Sequence, residues 1–136
     1  MPADRPKYVF DTSAILALRG NEVGADRVDA LLRQAMGGGA EAFVSFMTRM
    51  ELLYGVTAAE GPKAAADCLR LLDGMGLRWV SCEPAILERA ATIKARGRLS
   101  VADAWIAATA VVYGATLVHA DPEFENVSEA KRLALR

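Results

Sequence analysis

Apolar residues along the chain follow two alternating patterns, short β-prone runs and longer stretches with helical spacing. The short runs are bounded by turn residues and predict strands over 7–10, 42–46, 77–80 and 116–118, with a candidate edge strand over 132–135. The longer stretches predict helices over 14–18, 25–36, 62–73, 84–96 and 101–112, and another that begins at Thr48. Strands and helices therefore alternate along the chain.

Short apolar strands that alternate with helices are typical of a parallel sheet covered on both faces. The 136 residues are enough for one hydrophobic core. We therefore expect a single domain over residues 1–136, with residues 1–6 as a loose end. Its predicted fold class is α/β, a three-layer α/β/α sandwich with a four- or five-stranded, mainly parallel sheet.

The composition excludes several classes of protein. A formal net charge of −1 gives no general attraction to nucleic acid, so any such binding must depend on local features. One histidine and two cysteines cannot form a standard zinc site. No apolar run reaches the roughly 18 residues of a membrane helix, and the first residues lack the core of a signal peptide. We therefore expect a cytoplasmic protein without a membrane partner.

The most apolar part of the chain is flanked by two acidic residues. The helix over 101–112 is apolar on nearly every face, which is typical of a buried helix, yet Asp103 lies in its first turn. Asp121 follows the next predicted strand. Burying an ionised carboxylate costs several kcal/mol unless another group compensates the charge. A cation between Asp103 and Asp121 would provide that compensation.

Two further acids extend this set. Asp11 comes directly after the first predicted strand, and Glu51 lies one turn into the helix after the second. Right-handed crossovers place the carboxyl ends of parallel strands at one edge, where α/β sheets bind ligands. Asp11, Glu51 and Asp121 are therefore expected to share that edge. Asp103 joins them if its helix begins nearby, which the sequence alone does not require.

Each acid also has a simpler interpretation. Glu51 and Asp103 each stand three residues after a hydroxyl residue, as in a capping box. Asp11 can serve as the N-cap of the following helix, and Asp121 can belong to a turn with the next proline. Independent caps, however, have no reason to gather at one edge of a sheet. Four close carboxylates repel one another and raise each other's pKa values unless cations lie among them.

An all-oxygen set of ligands selects hard cations, Mg²⁺ or Mn²⁺, which retain water and bind phosphate oxygens. Such a site can polarise a phosphodiester, lower the pKa of a bound water and stabilise the leaving oxygen. The four acids therefore predict metal-assisted hydrolysis of a phosphodiester.

The order and spacing of these residues resemble the PIN-domain family, and within it the VapC-type toxins of bacterial toxin–antitoxin pairs. The resemblance covers about residues 8–124. The motifs that carry it are Asp11-Thr12-Ser13, Thr48-x-x-Glu51-Leu52, Ser100-x-x-Asp103-x-x-Ile106-Ala107-Ala108 and Leu117-Val118-x-x-Asp121-x-x-Phe124.

This resemblance implies a Mg²⁺- or Mn²⁺-dependent endoribonuclease. Its catalytic and metal-binding acids would be Asp11, Glu51, Asp103 and Asp121, with Ser13 as a hydroxyl near the metal or the scissile phosphate. It also implies a homodimer, RNA as substrate, and inhibition by a small VapB-type antitoxin whose tail occupies the active-site groove.

The chain departs from the family pattern at two positions, and a basic stretch adds a third feature. His119 stands where a threonine or serine is common; it would contact substrate or replace that hydroxyl, or else be structural. Glu123 stands where an aspartate is frequent, and a supporting electrostatic role is open to it. Arg98, in the basic stretch 94–98, can hold an RNA phosphate or simply complement the end of a helix.

Two functions remain open from the sequence. The main hypothesis is a toxin endoribonuclease directed at single strands or loops. The alternative is a catalytically weakened PIN-like module that acts by binding RNA or protein, for which the departure at His119 is the support.

Overall fold

The computed structural model describes residues 4–136, and within this range five strands form one parallel sheet. The strands are β1 (Lys7–Phe10), β2 (Glu41–Ser45), β3 (Arg78–Val80), β4 (Thr116–His119) and β5 (Lys131–Ala134). Their order across the sheet is β3-β2-β1-β4-β5, and every neighbouring pair is parallel. The predicted parallel sheet is confirmed, and the candidate edge strand is β5. Residues 1–3 of the expected loose end lie outside the described residues.

Six helices connect these strands in the described range. They are α1 (Thr12–Arg19), α2 (Ala25–Met36), α3 (Phe46–Glu60), α4 (Pro62–Asp73), α5 (Pro84–Arg96) and α6 (Val101–Tyr113), with a 3-10 helix over Pro122–Asn126. The prediction that a helix begins at Thr48 is wrong. Ser45 Oγ accepts the Met47 N–H at 3.1 Å, so this cap starts α3 at Phe46 and the strand ends one residue early.

The strand residues alternate between two cores, as the pleat requires. Val9, Phe43 and Leu117 face one core, which they form together with α5, α6 and the 3-10 helix. Their neighbours along the chain face the opposite core, formed with α1, α2 and α4. The sheet is therefore covered on both faces, which confirms the three-layer sandwich.

Helix α6 is the most apolar helix, but it is not buried on every face. Its middle, from Ala104 to Ala110, is largely buried, whereas Val101 and Val112 are 60% and 39% exposed. The helix ends at Gly114, which has a φ of 63° and donates to the last carbonyls of the helix. No helix in residues 4–136 combines the length and apolarity needed to cross a bilayer.

Helix α6 runs antiparallel to α5 and leads into β4, and its direction places Asp103 at the carboxyl edge of the sheet. The Tyr113 hydroxyl at the end of α6 donates to Glu83 Oε2, before the start of α5, at 2.7 Å. Because β4 must begin at the amino edge, α6 runs toward that edge and its first turn lies at the opposite one. The sequence left this point open, and the direction of α6 in the structure decides it.

Candidate metal centre

Asp11 lies at the crevice where the strand order reverses, between β1 and β4. Its backbone N–H donates to the Val118 carbonyl at 3.1 Å, and its side chain is buried at the start of α1. Oδ1 accepts the Ala14 N–H at 2.8 Å, and the Ser13 hydroxyl contacts both carboxylate oxygens at 2.7 and 2.8 Å. Asp11 is therefore the N-cap of α1, as the simpler interpretation held, and at the same time a buried acid at the ligand-binding edge.

Burial is the main influence on the Asp11 carboxyl group and raises its pKa to about 7. The hydrogen bonds from Ser13 and Ala14 act in the opposite direction, because they stabilise the ionised form. The negative charge of Asp103 raises the pKa further. At neutral pH the Asp11 carboxyl group is therefore only partly ionised unless a cation lies near it.

Glu51 lies in the second turn of α3 and is half-buried. The Thr12 hydroxyl donates to Glu51 Oε1 at 2.6 Å and lies 3.1 Å from the hydroxyl oxygen of Thr48. Thr48 is fully buried inside α3 and is not its cap, so the capping-box interpretation of Glu51 is wrong. Thr12 was missed by the sequence analysis; its only signal is a hydroxyl directly after Asp11.

Ser13 connects the start of α1 to the end of β4. Its Oγ donates to Asp11 and accepts the Ala120 N–H at 2.9 Å. The residue before Asp121 is therefore held against Asp11 by one hydroxyl group. Ser13 was predicted to lie near the metal or the scissile phosphate. In the structure its hydroxyl group forms hydrogen bonds with the protein's own groups, Asp11 and Ala120.

The acid cluster is formed by Asp103, Asp121 and Glu123. Each of the three offers one carboxylate oxygen, and these oxygens all lie within 4.8 Å of one another. Asp121 Oδ1 accepts the Glu123 N–H at 3.0 Å and so caps the 3-10 helix. The Asp103 N–H donates to Ser100 Oγ at 3.1 Å, which caps α6. Glu123, expected to give only support, thus lies closer to Asp103 and Asp121 than the spacing alone indicated.

Asp103 is half-buried, and three negative charges surround it. Partial burial is the largest influence on its carboxyl group, followed by the charges of Glu51, Asp121 and Glu123, and together these raise its pKa to about 6. Through Asp103, the acid cluster is electrostatically linked both to Glu51 and to Asp11. The structure therefore brings all four predicted acids to one edge, with Glu123 as a fifth.

His119 ends β4 and is fully buried. Its ring centroid lies 5.3 Å from that of Phe124, and within the described residues neither ring nitrogen has a partner at hydrogen-bonding geometry. Burial lowers the pKa of the imidazole, so the ring is neutral at neutral pH. The contact with Phe124 places the ring against the core that includes the 3-10 helix. Arg98 is exposed in the α5–α6 loop.

The donor set of this edge is carboxylate and hydroxyl oxygen throughout, and burial together with neighbouring negative charge raises the pKa of both Asp11 and Asp103. Both properties fit a hard divalent cation, which oxygen ligands select and which would remove the repulsion. The first turns of α1 and α6 add partial positive charge at the same edge, which favours a phosphate group nearby. The arrangement is thus suited to holding a metal ion against a phosphodiester.

Solved structures with the same fold come from toxin–antitoxin complexes. A chain of VapBC2 from Rickettsia felis, bound to a DNA fragment from its promoter, superposes with a TM-score of 0.77 at 16% identity, over 94% of this chain and 98% of that chain. A chain of VapBC-1 from nontypeable Haemophilus influenzae gives a TM-score of 0.74 at 24% identity, over 95% and 98% of the two chains.

A curated relative and a family model match most of the sequence. The relative is Ribonuclease VapC4 of Mycobacterium tuberculosis, 28% identical over 135 residues that span 95% of this chain and 97% of the relative. The family model is that of the PIN domain, which matches residues 8–130. The chain belongs to the PIN domain family.

Proposed function

We propose that this protein is a Mg²⁺- or Mn²⁺-dependent endoribonuclease and the toxin of a VapBC-type pair. PIN nucleases are metal dependent, and the relative named Ribonuclease VapC4 matches nearly the whole chain. The observation that carries the proposal is the acid cluster at the β1/β4 crevice, with Asp11 and Glu51 beside it. Burial and the negative charges of its neighbours raise the pKa of Asp103, and a resident cation would offset both influences.

The metal-binding residues in this proposal are Asp11, Glu51, Asp103 and Asp121, with Glu123 in support. A divalent cation held by these residues would polarise the phosphodiester and would make bound water a better nucleophile at neutral pH. The chain's own hydroxyl groups orient the ligands. Thr12 holds the Glu51 carboxylate, and Ser13 holds Asp11 next to Ala120.

The partners follow from the same assignment. RNA is the substrate, and a VapB-type antitoxin is the inhibitor, since the solved neighbours include VapBC complexes. We propose a homodimer as the working form, as the family resemblance implies, and the cytoplasm as its compartment.

The test is RNA cleavage by the purified protein with Mg²⁺ or Mn²⁺, with and without a chelator. We expect cleavage that requires the metal and falls at least about 100-fold in Asp103→Asn, because even groups one shell from a metal are worth about 10- to 100-fold. The matched control is Glu88→Gln, which makes the same chemical change at an exposed position of α5. Cleavage that persists in chelator, or full activity of Asp103→Asn, would refute the assignment.

Calorimetry with Mn²⁺ separates the enzyme from a binding module that has lost catalysis. The enzyme should bind Mn²⁺, and Asp103→Asn should bind it more weakly, whereas Glu88→Gln should not differ from the natural chain. A protein that binds RNA or antitoxin but shows no heat with Mn²⁺ would favour the binding module instead.

A further inference from the structure

A cleft of about 540 Å³ lies directly beside the acid cluster. It runs between the end of α5 with its following loop and the 3-10 helix. The residues that line it are Ile93, Arg96, Gly97, Arg98, Leu99, Glu123, Asn126 and Val127. Glu123 belongs both to this lining and to the acid cluster, so the cleft begins one side chain from the proposed metal.

The lining divides into an apolar floor and a polar mouth. Ile93, Leu99 and Val127 are each less than 5% exposed, so their contact with the cleft is at its bottom. Glu123 and Asn126 are exposed and stand at the opening. A volume of this size with apolar walls and a few convergent polar groups is typical of a small-molecule or nucleotide subsite.

The two arginines of the lining differ in their availability. The Arg96 guanidinium is held in an ion pair by Glu129. Arg98 is exposed and, within residues 4–136, forms no hydrogen bond or ion pair. The Asn126 amide nitrogen reaches only the Glu123 carbonyl, at 3.4 Å, so its oxygen is open to a ligand. The groups available to a ligand are therefore the Arg98 guanidinium, which donates hydrogen bonds, and the side-chain oxygens of Asn126 and Glu123, which accept them.

A phosphate alone would not use this combination. It would be attracted by Arg98 but would be repelled by Glu123 and would gain nothing from the apolar floor. An unstacked base of single-stranded RNA uses all three parts, because its face packs on apolar groups and its edge forms hydrogen bonds. Guanine fits best, since O6 and N7 accept from an arginine while its N2–H₂ group donates to a carboxylate or amide oxygen.

We propose that this cleft binds the base of a nucleotide adjacent to the cleaved bond, with guanine preferred and Arg98 as the specificity-determining residue. The proposal rests on the proposed ribonuclease function. It adds a preference for one base, which the acid cluster alone cannot provide. Arg98 would contact the base rather than the phosphate, which changes the role expected for it from the sequence.

The test is cleavage of a pool of short single-stranded oligoribonucleotides of random sequence in Mn²⁺, followed by sequencing of the products. We expect guanine to be enriched at one fixed position next to the cut. Arg98→Ala should reduce that preference by about tenfold or more, because a bidentate contact discriminates by about that factor. Arg98→Lys should lose it as well, since lysine keeps the charge without the planar fork.

The control is Arg89→Ala, which removes an exposed arginine of α5 outside the cleft lining and should leave the preference unchanged. Uniformly weaker cleavage of all sequences in Arg98→Ala, restored by Arg98→Lys, would identify a phosphate contact and overturn the base pocket. Equal cleavage before and after every base would also overturn it, while leaving the ribonuclease assignment intact. A pool that the natural chain does not cut at all would overturn the ribonuclease function, and the pocket with it.

Discussion

The two sides of the candidate metal centre are built differently. On the hydroxyl side, formed by Asp11, Thr12, Ser13, Thr48 and Glu51, each carboxylate accepts a hydrogen bond from a hydroxyl group of α1. In the acid cluster, formed by Asp103, Asp121 and Glu123, carboxylate faces carboxylate within 4.8 Å. The hydroxyl side is thus oriented by the protein, whereas the cluster requires positive charge from elsewhere.

This difference separates two tasks within one site. Hydrogen bonds on the hydroxyl side favour the ionised form of Asp11 and oppose the effect of its burial. The surroundings of Asp103 disfavour its ionised form, because burial and three like charges outweigh the opposite influence of Ser100. Metal binding should therefore change the energy of the acid cluster most, while the hydroxyl side should mainly determine where the ligands point.

The largest expected effect is that of Asp103→Asn, which removes one charge from the cluster. Besides losing at least about 100-fold in activity, the metal-free variant should be more stable by up to about 1 kcal/mol, after allowance for solvent screening, because repulsion is relieved. Chemical denaturation without metal measures this, with Glu88→Gln as the control. A variant that is less stable than the natural chain would show that the cluster is not under repulsion.

Thr12→Ala tests the hydroxyl side. The substitution leaves Glu51 without its 2.6 Å hydrogen bond, so we expect activity to fall by about 10- to 100-fold, as for other residues that orient a metal ligand. Thr12→Ser keeps the hydroxyl and should restore most of the activity. If Thr12→Ser is as impaired as Thr12→Ala, the methyl group and not the hydrogen bond is what matters.

Thr12 should affect the orientation of the Glu51 carboxylate toward the metal more than the charge of the site. Calorimetry of Thr12→Ala with Mn²⁺ should therefore show a smaller loss of affinity than Asp103→Asn. An equal or greater loss would remove the distinction between the two sides.

The sequence was sufficient for the sheet and for most of the site, because strand ends and acids are local features. Asp11 and Asp121 could be placed at one edge since each lies within two residues of a strand that ends there. The position of Asp103 was left open, because Asp103 lies a whole helix away from β4 and its place depends on the direction in which α6 packs. That direction is established by tertiary contacts such as the one between Tyr113 and Glu83.

The hydroxyl network was beyond sequence reasoning for a related reason. Thr12 and Ser13 are neighbours with similar side chains, yet one contacts Glu51 and the other contacts Asp11 and Ala120. Which hydroxyl faces which carboxylate depends on the turn from β1 into α1. The start of α3 was misplaced because Ser45 was assigned to the strand interior, whereas its side chain caps the helix.

A smaller effect, on the stability of the folded protein, is expected when metal and pH are varied together. The folded-state pKa values of Asp11 and Asp103, about 7 and about 6, lie above the ordinary value of 3.8. Between the ordinary value and these raised values, the two carboxyl groups hold more protons in the folded state than in the unfolded state. The contribution of Asp11 and Asp103 to the free energy of unfolding therefore falls as the pH rises toward 7. A divalent cation needs the ionised forms and should reverse this loss.

The measurement is the melting temperature with and without millimolar Mn²⁺ at about pH 5.5 and about pH 7.5. We expect the rise caused by Mn²⁺ to be clearly larger at the higher pH, since an ion at a hundredfold excess over its Kd stabilises by about 2.7 kcal/mol only when the site is ionised. Other acids, such as those in ion pairs, change stability equally with and without Mn²⁺. A rise that does not depend on pH would place the ion away from Asp11 and Asp103.

The smallest effect on activity is expected at His119, which lies two residues before Asp121 in the sequence but contacts Phe124 in the core. Neither ring nitrogen has a partner at hydrogen-bonding geometry in the described part of the chain, and burial outweighs the influence of Glu125 and of the Asp121 backbone on the ring. His119→Leu should therefore raise the free energy of unfolding by about 1 kcal/mol and leave RNA cleavage unchanged. His119→Asn, which is polar but too small to fill the space beside Phe124, should instead lower stability. A loss of cleavage in His119→Leu, with its folding intact, would mean that the imidazole acts on the substrate. His119 would then belong to the centre together with the hydroxyl side and the acid cluster.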